Sequence, residues 1–181
     1  MAKPTLIILA HPDLSESHIN AAWLATLTKE AADVRIHDLY GTYPDGDIDV
    51  AAEQALLMQY ERIILQFPMY WYSVPSLLKK WLDDVLAYGW AYGPGGDKLT
   101  AKEIGLAVST GSPEAAYQID GRVGHTLVEL LTPLQQTIRF VHARCLPIFV
   151  LHGANHPVPD DQLNKSAADY LAYLHASHTA A

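Results

Sequence analysis

Five short apolar runs, each closed by turn residues, punctuate the chain: Thr5 to Ala10, Val34 to Asp38, Arg62 to Phe67, Ile104 to Ser109 and Leu146 to Leu151. Runs this short and continuous predict strands buried on both faces. Between them, apolar residues recur at helical spacing, as in Ile19, Trp23 and Leu27, and in Leu77, Leu78, Trp81, Leu82, Val85 and Leu86. Thr126 to Val141 reads as a further helix, in which Pro133 predicts a kink or a late start, and Ser166 to Leu174 as the last. Alternating strands and helices with right-handed crossovers predict an α/β fold, a doubly wound five-stranded parallel sheet between two helical layers. The segment richest in glycine and proline, Gly89 to Asp97, falls between a predicted helix and strand. It is therefore a loop inside one domain spanning residues 1–181 and not a linker.

Composition narrows the function classes. Half of the residues are hydrophobic and 18% are charged, enough apolar surface to bury a core. Lys and Arg number 12 against 20 Asp and Glu, a net charge of -8 that repels nucleic acid and anionic membranes. No run approaches the ~20 apolar residues of a membrane span, and none near the start has signal-peptide length, so a cytoplasmic protein is expected. Cys145 has no partner for a disulfide and sits among Leu146, Pro147 and Ile148, which reads as an inert buried thiol. The nine histidines, His152 and His156 among them, have no companion carboxylates or cysteines in metal-ligand spacing, and no metal is expected.

In open parallel sheets, ligands sit outside the carboxyl ends of the strands, so the loops there decide function. The first runs His11-Pro12-Asp13-Leu14-Ser15-Glu16-Ser17-His18-Ile19-Asn20, without the glycines of a dinucleotide or P-loop turn. It offers hydroxyls, an amide and imidazoles at a helix start, where free N–H groups and the dipole favour a phosphate; N-capping by Ser17 accounts for part of the same pattern. The loop after the third strand, Phe67-Pro68-Met69-Tyr70-Trp71-Tyr72-Ser73-Val74-Pro75, holds more aromatics than one core can take from a loop. They line either a flat ligand or a subunit interface. The loop after the fourth, Ser109-Thr110-Gly111-Ser112-Pro113, permits close backbone approach at Gly111. A phospho-receiver is excluded, because the third strand ends in Phe67-Pro68 where an acceptor Asp would stand. Taken together, the three loops suit a flavin mononucleotide.

The same residues carry a resemblance. Leu9-Ala10-His11-Pro12 with Ser17-His18-Ile19-Asn20, Asp38-Leu39-Tyr40 through Tyr43-Pro44-Asp45 to Ile48-Asp49, Phe67 to Pro75, Gly89-Trp90-Ala91-Tyr92-Gly93 and Ser109-Thr110-Gly111 follow one another in order. In this the chain resembles the flavodoxin-like NAD(P)H:quinone oxidoreductases, most of all the bacterial potassium-efflux ancillary and general-stress branch. The resemblance implies flavin phosphate contacts from His11, Ser17, His18 and Asn20, and ring contacts from Pro68, Met69, Tyr70, Trp71 and Tyr72 and from Ser109, Thr110, Gly111 and Ser112. It implies FMN, with FAD as the alternative, NAD(P)H as co-substrate, and ping-pong hydride transfer to a quinone or other small aromatic acceptor. It also implies a homodimer with sites at the interface and a potassium-efflux transporter as a partner, with a flavin-binding regulatory subunit as the alternative function. Tyr117 falls where the family has a tyrosine that assists hydride transfer. The family's histidine position holds Val123, and His125, just beyond it, is taken as the second catalytic residue that the resemblance implies. Ser112 replaces the family's second glycine. Trp90 and Tyr92 are assigned to a pocket for a second aromatic molecule, which disfavours a one-electron flavodoxin carrier.

Overall fold

The computed structural model describes residues 3–178; residues 1–2 and 179–181 of the expected domain lie outside the described residues. Strands β1 (Thr5–Leu9), β2 (Val34–Asp38), β3 (Arg62–Pro68) and β4 (Glu103–Thr110) run parallel in the order β2-β1-β3-β4. Two short strands lie beyond β4: β5 (Arg144–Cys145), just ahead of the fifth apolar run and in register with Glu103 and Ile104, and β6 (Phe149–His152), from the second half of that run and in register with Ala107 to Thr110. The expected strand over Leu146 to Leu151 therefore starts only at Phe149, with β5 standing before it. Pro147 has no N–H to give to a ladder, and its carbonyl is taken instead by the Tyr173 hydroxyl at 2.8 Å.

Helices α1 (His18–Glu30) and α7 (Asp160–His175) cover one face of the sheet. Their core is Trp23, Leu27, Tyr170 and Leu174 against Ile7, Ile64 and Ala107. The other face is covered by α2 (Leu39–Thr42), α3 (Val50–Met58), α4 (Ser76–Val85), α5 (Leu127–Leu130) and α6 (Thr132–Phe140). There Leu6, Ile8, Leu65, Phe67, Leu106 and Val108 meet Leu57, Leu78, Trp81 and Ile138. Pro133 lies in the first turn of α6, the late start expected of it, while Thr126 and Glu129 form a capping box on α5. Every residue of β1, β3 and β4 is buried, as a strand covered on both sides must be. A three-layer α/β/α unit with this strand order has its switch point between β1 and β3, where the loops after β1, β3 and β4 converge.

On the α3 side a carboxylate is enclosed. Glu53, 2% exposed, accepts from His37 Nε2, the Tyr43 hydroxyl and Trp81 Nε1, each at 2.7 Å. Burial alone would raise its pKa, but these three donors outweigh burial and hold it below the ordinary value. They join β2, α3, α4 and the segment after α2.

Candidate functional site

The first loop is shaped by its own side chains. Asp13 accepts from the Ser15 N–H at 3.1 Å, starting a one-turn 3-10 segment at Leu14–Glu16, and Ser17 caps α1 by accepting from the Asn20 N–H at 3.1 Å. The α1 N-terminus thus opens into a cavity of about 250 Å³ lined by His11, Ser17, His18, Pro68, Met69 and Ser109, with Gly111 and Asn155 opposite. Among the described residues, His11 Nδ1 alone is a buried side-chain polar atom with no hydrogen-bond partner. Burial holds the His11 imidazole below its ordinary pKa of 6.5, with Asp13 and Asp38 opposing the shift. A neutral imidazole with an unmet ring nitrogen beside free helix N–H groups is what a phosphate-bearing ligand would complete.

The second loop is a tight hairpin. The Tyr70 N–H donates to the Ser73 carbonyl at 3.2 Å and the Ser73 N–H to the Tyr70 carbonyl at 2.9 Å. Trp71 and Tyr72 between them have φ of 49° and 62°. Turns of this hand normally take Asn or Gly, and two consecutive aromatics there cost on the order of 1 kcal/mol each. The strain holds Trp71 93% exposed at the rim of a second cavity, about 570 Å³, lined by Met69 to Tyr72, Gly111, Ser112, Tyr117 and Asn155. This opening shares Met69, Tyr70, Gly111 and Asn155 with the first, so the two form one trough along the sheet edge. One half suits a phosphate and the other a flat ring.

The third loop is braced from the neighbouring strand. His152, paired in register with Thr110, places its Nδ1 2.8 Å from Thr110 Oγ1, which donates to the Ser112 carbonyl at 3.0 Å. With the hydroxyl proton committed to Ser112, His152 donates at Nδ1; burial lowers its pKa, with Glu114 opposing. The Gly153, Ala154 and Asn155 N–H groups donate to the carbonyls of Thr110 and Gly111 at 2.9 to 3.1 Å. Tyr117 lies in the ring cavity, 6% exposed, its ring 5.4 Å from that of His152. Among the described residues its hydroxyl has no hydrogen-bond partner.

Most of the residues singled out in the sequence meet in this trough, but not all. Asn20 does not face it. Only 1% exposed, it donates to Ser109 Oγ at 3.0 Å and accepts from Gln66 Nε2 at 3.2 Å, while Gln66 accepts from the Tyr170 hydroxyl at 3.1 Å. Its side chain is a bolt through the sheet; only its backbone stands at the phosphate end. Thr110 is fully buried and braces the turn instead of facing a ligand. His125 is exposed beside Glu129 and lines neither cavity; the imidazole against Tyr117 is that of His152. Tyr92 lines a separate groove between α4 and α6, and Trp90 lines neither trough cavity. Asn155, in both halves of the trough, was missed, although it stands in the loop that follows the fifth apolar run, four residues beyond Leu151.

A doubly wound sheet with this trough at its switch point defines a nucleotide-binding protein of the flavodoxin type. The flavodoxin-like fold family matches residues 3–174, and the chain belongs to that family. The uncharacterized NAD(P)H oxidoreductase YrkL of Bacillus subtilis is 49% identical over 174 residues, covering 96% of this chain and 99% of that protein. KefF of Citrobacter koseri, a glutathione-regulated potassium-efflux system ancillary protein, is 43% identical, covering 96% and 98%. The structure of general stress protein 14 from Treponema denticola in complex with FMN matches with a TM-score of 0.88 and 44% identity, over 94% of this chain and 97% of that one. An NADPH-quinone reductase from P. pentosaceus matches with a TM-score of 0.84 and 36% identity, over 94% and 96%. The chain is accordingly a flavodoxin-like oxidoreductase.

Proposed function

We propose that this chain is an FMN-dependent NAD(P)H:quinone oxidoreductase acting as a homodimer. The observation that carries the reading is the unmet His11 Nδ1 in the wall of the cavity at the N-terminus of α1, which shares Met69, Tyr70, Gly111 and Asn155 with the cavity rimmed by the strained Trp71-Tyr72 hairpin. The FMN complex of the T. denticola protein and the name of the P. pentosaceus enzyme support it. The Ser17 hydroxyl, His11 and the N–H groups of the first α1 turn would hold the phosphate. Met69 to Tyr72 on one side and Gly111, Ser112 and Asn155 on the other would hold the ring. One phosphate suits the short loop at the start of α1, which favours FMN over FAD. When bound, the flavin supplies two-electron hydride chemistry between NAD(P)H and a quinone that use the same face in turn. The chain's own part would be to orient the ring, to cover it with Tyr70, Trp71 and Tyr72, and to offer the Tyr117 hydroxyl to negative charge developing on it.

The dimer reading rests on the groove between α4 and α6, about 480 Å³ and lined by Leu82, Leu86, Tyr92, Leu134 and Phe140. Phe140 is 63% exposed, and Tyr72 lines both this groove and the ring cavity. A second copy seated there would shelter an apolar face and close the rim of the trough together.

Purified protein should be yellow, release FMN on denaturation and oxidise NADPH or NADH when a benzoquinone is added. Colourless protein that takes up neither FMN nor FAD overturns the reading. The name of the C. koseri relative favours a second one, a flavin-loaded regulatory subunit of a potassium-efflux transporter. Co-purification with such a transporter, retained when quinone reduction is abolished, would distinguish it.

A further inference from the structure

Among the described residues neither half of the trough has a Lys or Arg in its lining, and the phosphate half is lined in part by Asp13 and Glu16. On a chain of net charge -8, a pyridine nucleotide with its diphosphate would be repelled unless a cation met it locally. Lys79 in the neighbouring groove is spent on Asp83 at 2.6 Å. Arg122 is not spent. Its Nη2 donates to Ser112 Oγ at 2.8 Å, and among the described residues no carboxylate pairs with it. Ser112 is itself part of the ring-cavity wall and stands where a glycine would leave no anchor. The hydrogen bond uses one donor of five and ties the guanidinium to the cavity rim.

We propose that Arg122, tethered by Ser112, is the cation that receives the phosphate charge of the incoming NAD(P)H. The inference rests on the function proposed above and names the side chain that accepts its reductant. Because the guanidinium is exposed, it acts on binding and not on the chemical step.

In flavin-loaded protein, Arg122→Gln should raise the NADPH KM about tenfold while the limiting rate of flavin reduction changes less than twofold. Calorimetric affinity for NADP+ should fall by the same factor. Ser112→Gly, which frees the guanidinium, should give a smaller loss, and Arg122→Lys should recover part of it. An effect confined to NADPH assigns the contact to the 2′-phosphate; equal effects with NADH assign it to the diphosphate. Undiminished NADP+ affinity in Arg122→Gln overturns this inference and leaves the function standing. Wild-type protein that retains FMN yet neither binds NADP+ nor oxidises NAD(P)H overturns the function instead.

Discussion

At the amino end of the strands Glu103 accepts from Arg62, Arg144 and Lys3, and Arg62 goes on to donate to the carbonyls of Leu174 and Ala176, locking the end of α7. At the carboxyl end, among the described residues, His11 Nδ1 and the Tyr117 hydroxyl have no hydrogen-bond partner, and two aromatics hold left-handed backbone. The same sheet therefore carries a fully paired end and an unfinished one. Arg62 and Glu103 are each 2% exposed, so the paired end was closed at a desolvation cost that only complete pairing offsets. The unfinished end keeps unmet polar groups and backbone strain that serve no purpose in the chain alone. Stability is concentrated at one end and recognition at the other.

Substitutions at the two ends should separate accordingly. The largest effect is expected from Glu103→Ala, which strands a buried guanidinium and should cost about 3 to 5 kcal/mol in urea denaturation. FMN affinity of the folded fraction should be unchanged, and a large loss of affinity would erase the contrast. Asn20→Ala should behave like the paired end although it sits at the other. Two buried hydrogen bonds are lost, for about 2 to 3 kcal/mol of stability, with a smaller change in FMN affinity. Tyr117→Phe should leave stability and FMN content intact and slow flavin reduction about tenfold, or about 1.4 kcal/mol, in stopped flow. Equal rates would make Tyr117 structural. Ser17→Ala should weaken FMN retention and cost about 1 kcal/mol of helix capping.

The smallest expected effect is on pH dependence. Burial lowers the pKa of both His11 and His152 from 6.5 in the folded chain. Between each folded value and 6.5 the unfolded chain binds more protons, so stability falls as pH drops below about 6.5 and is fully present above it. Melting of flavin-free protein between pH 7.5 and 5.5 should show the decline, and His152→Asn should flatten part of it.

The strand order and helical layers were legible because β1, β3 and β4 are buried on both sides and leave unbroken apolar runs. The late start of β6 after Pro147 was legible in principle, since that residue cannot donate to a ladder. The trough was legible loop by loop, but side-chain direction was not. Asn20 sits in a run of hydroxyls and imidazoles, yet it shares the buried stripe of α1 with Ile19, Trp23 and Leu27, which turns it inward. His125 is near Tyr117 in sequence, whereas His152 reaches it through strand register, which no local spacing reveals.

Trp71 gives the trough a built-in optical reporter. The chain has four tryptophans; Trp23 and Trp81 are 0% and 2% exposed and Trp90 is half-buried, while Trp71 is almost wholly in solvent. Acrylamide quenching of the red-edge emission therefore samples chiefly the rim of the ring cavity. Titrating any planar ligand into the colourless protein should dim that fraction first, so occupancy can be followed in a fluorimeter with no label and no turnover.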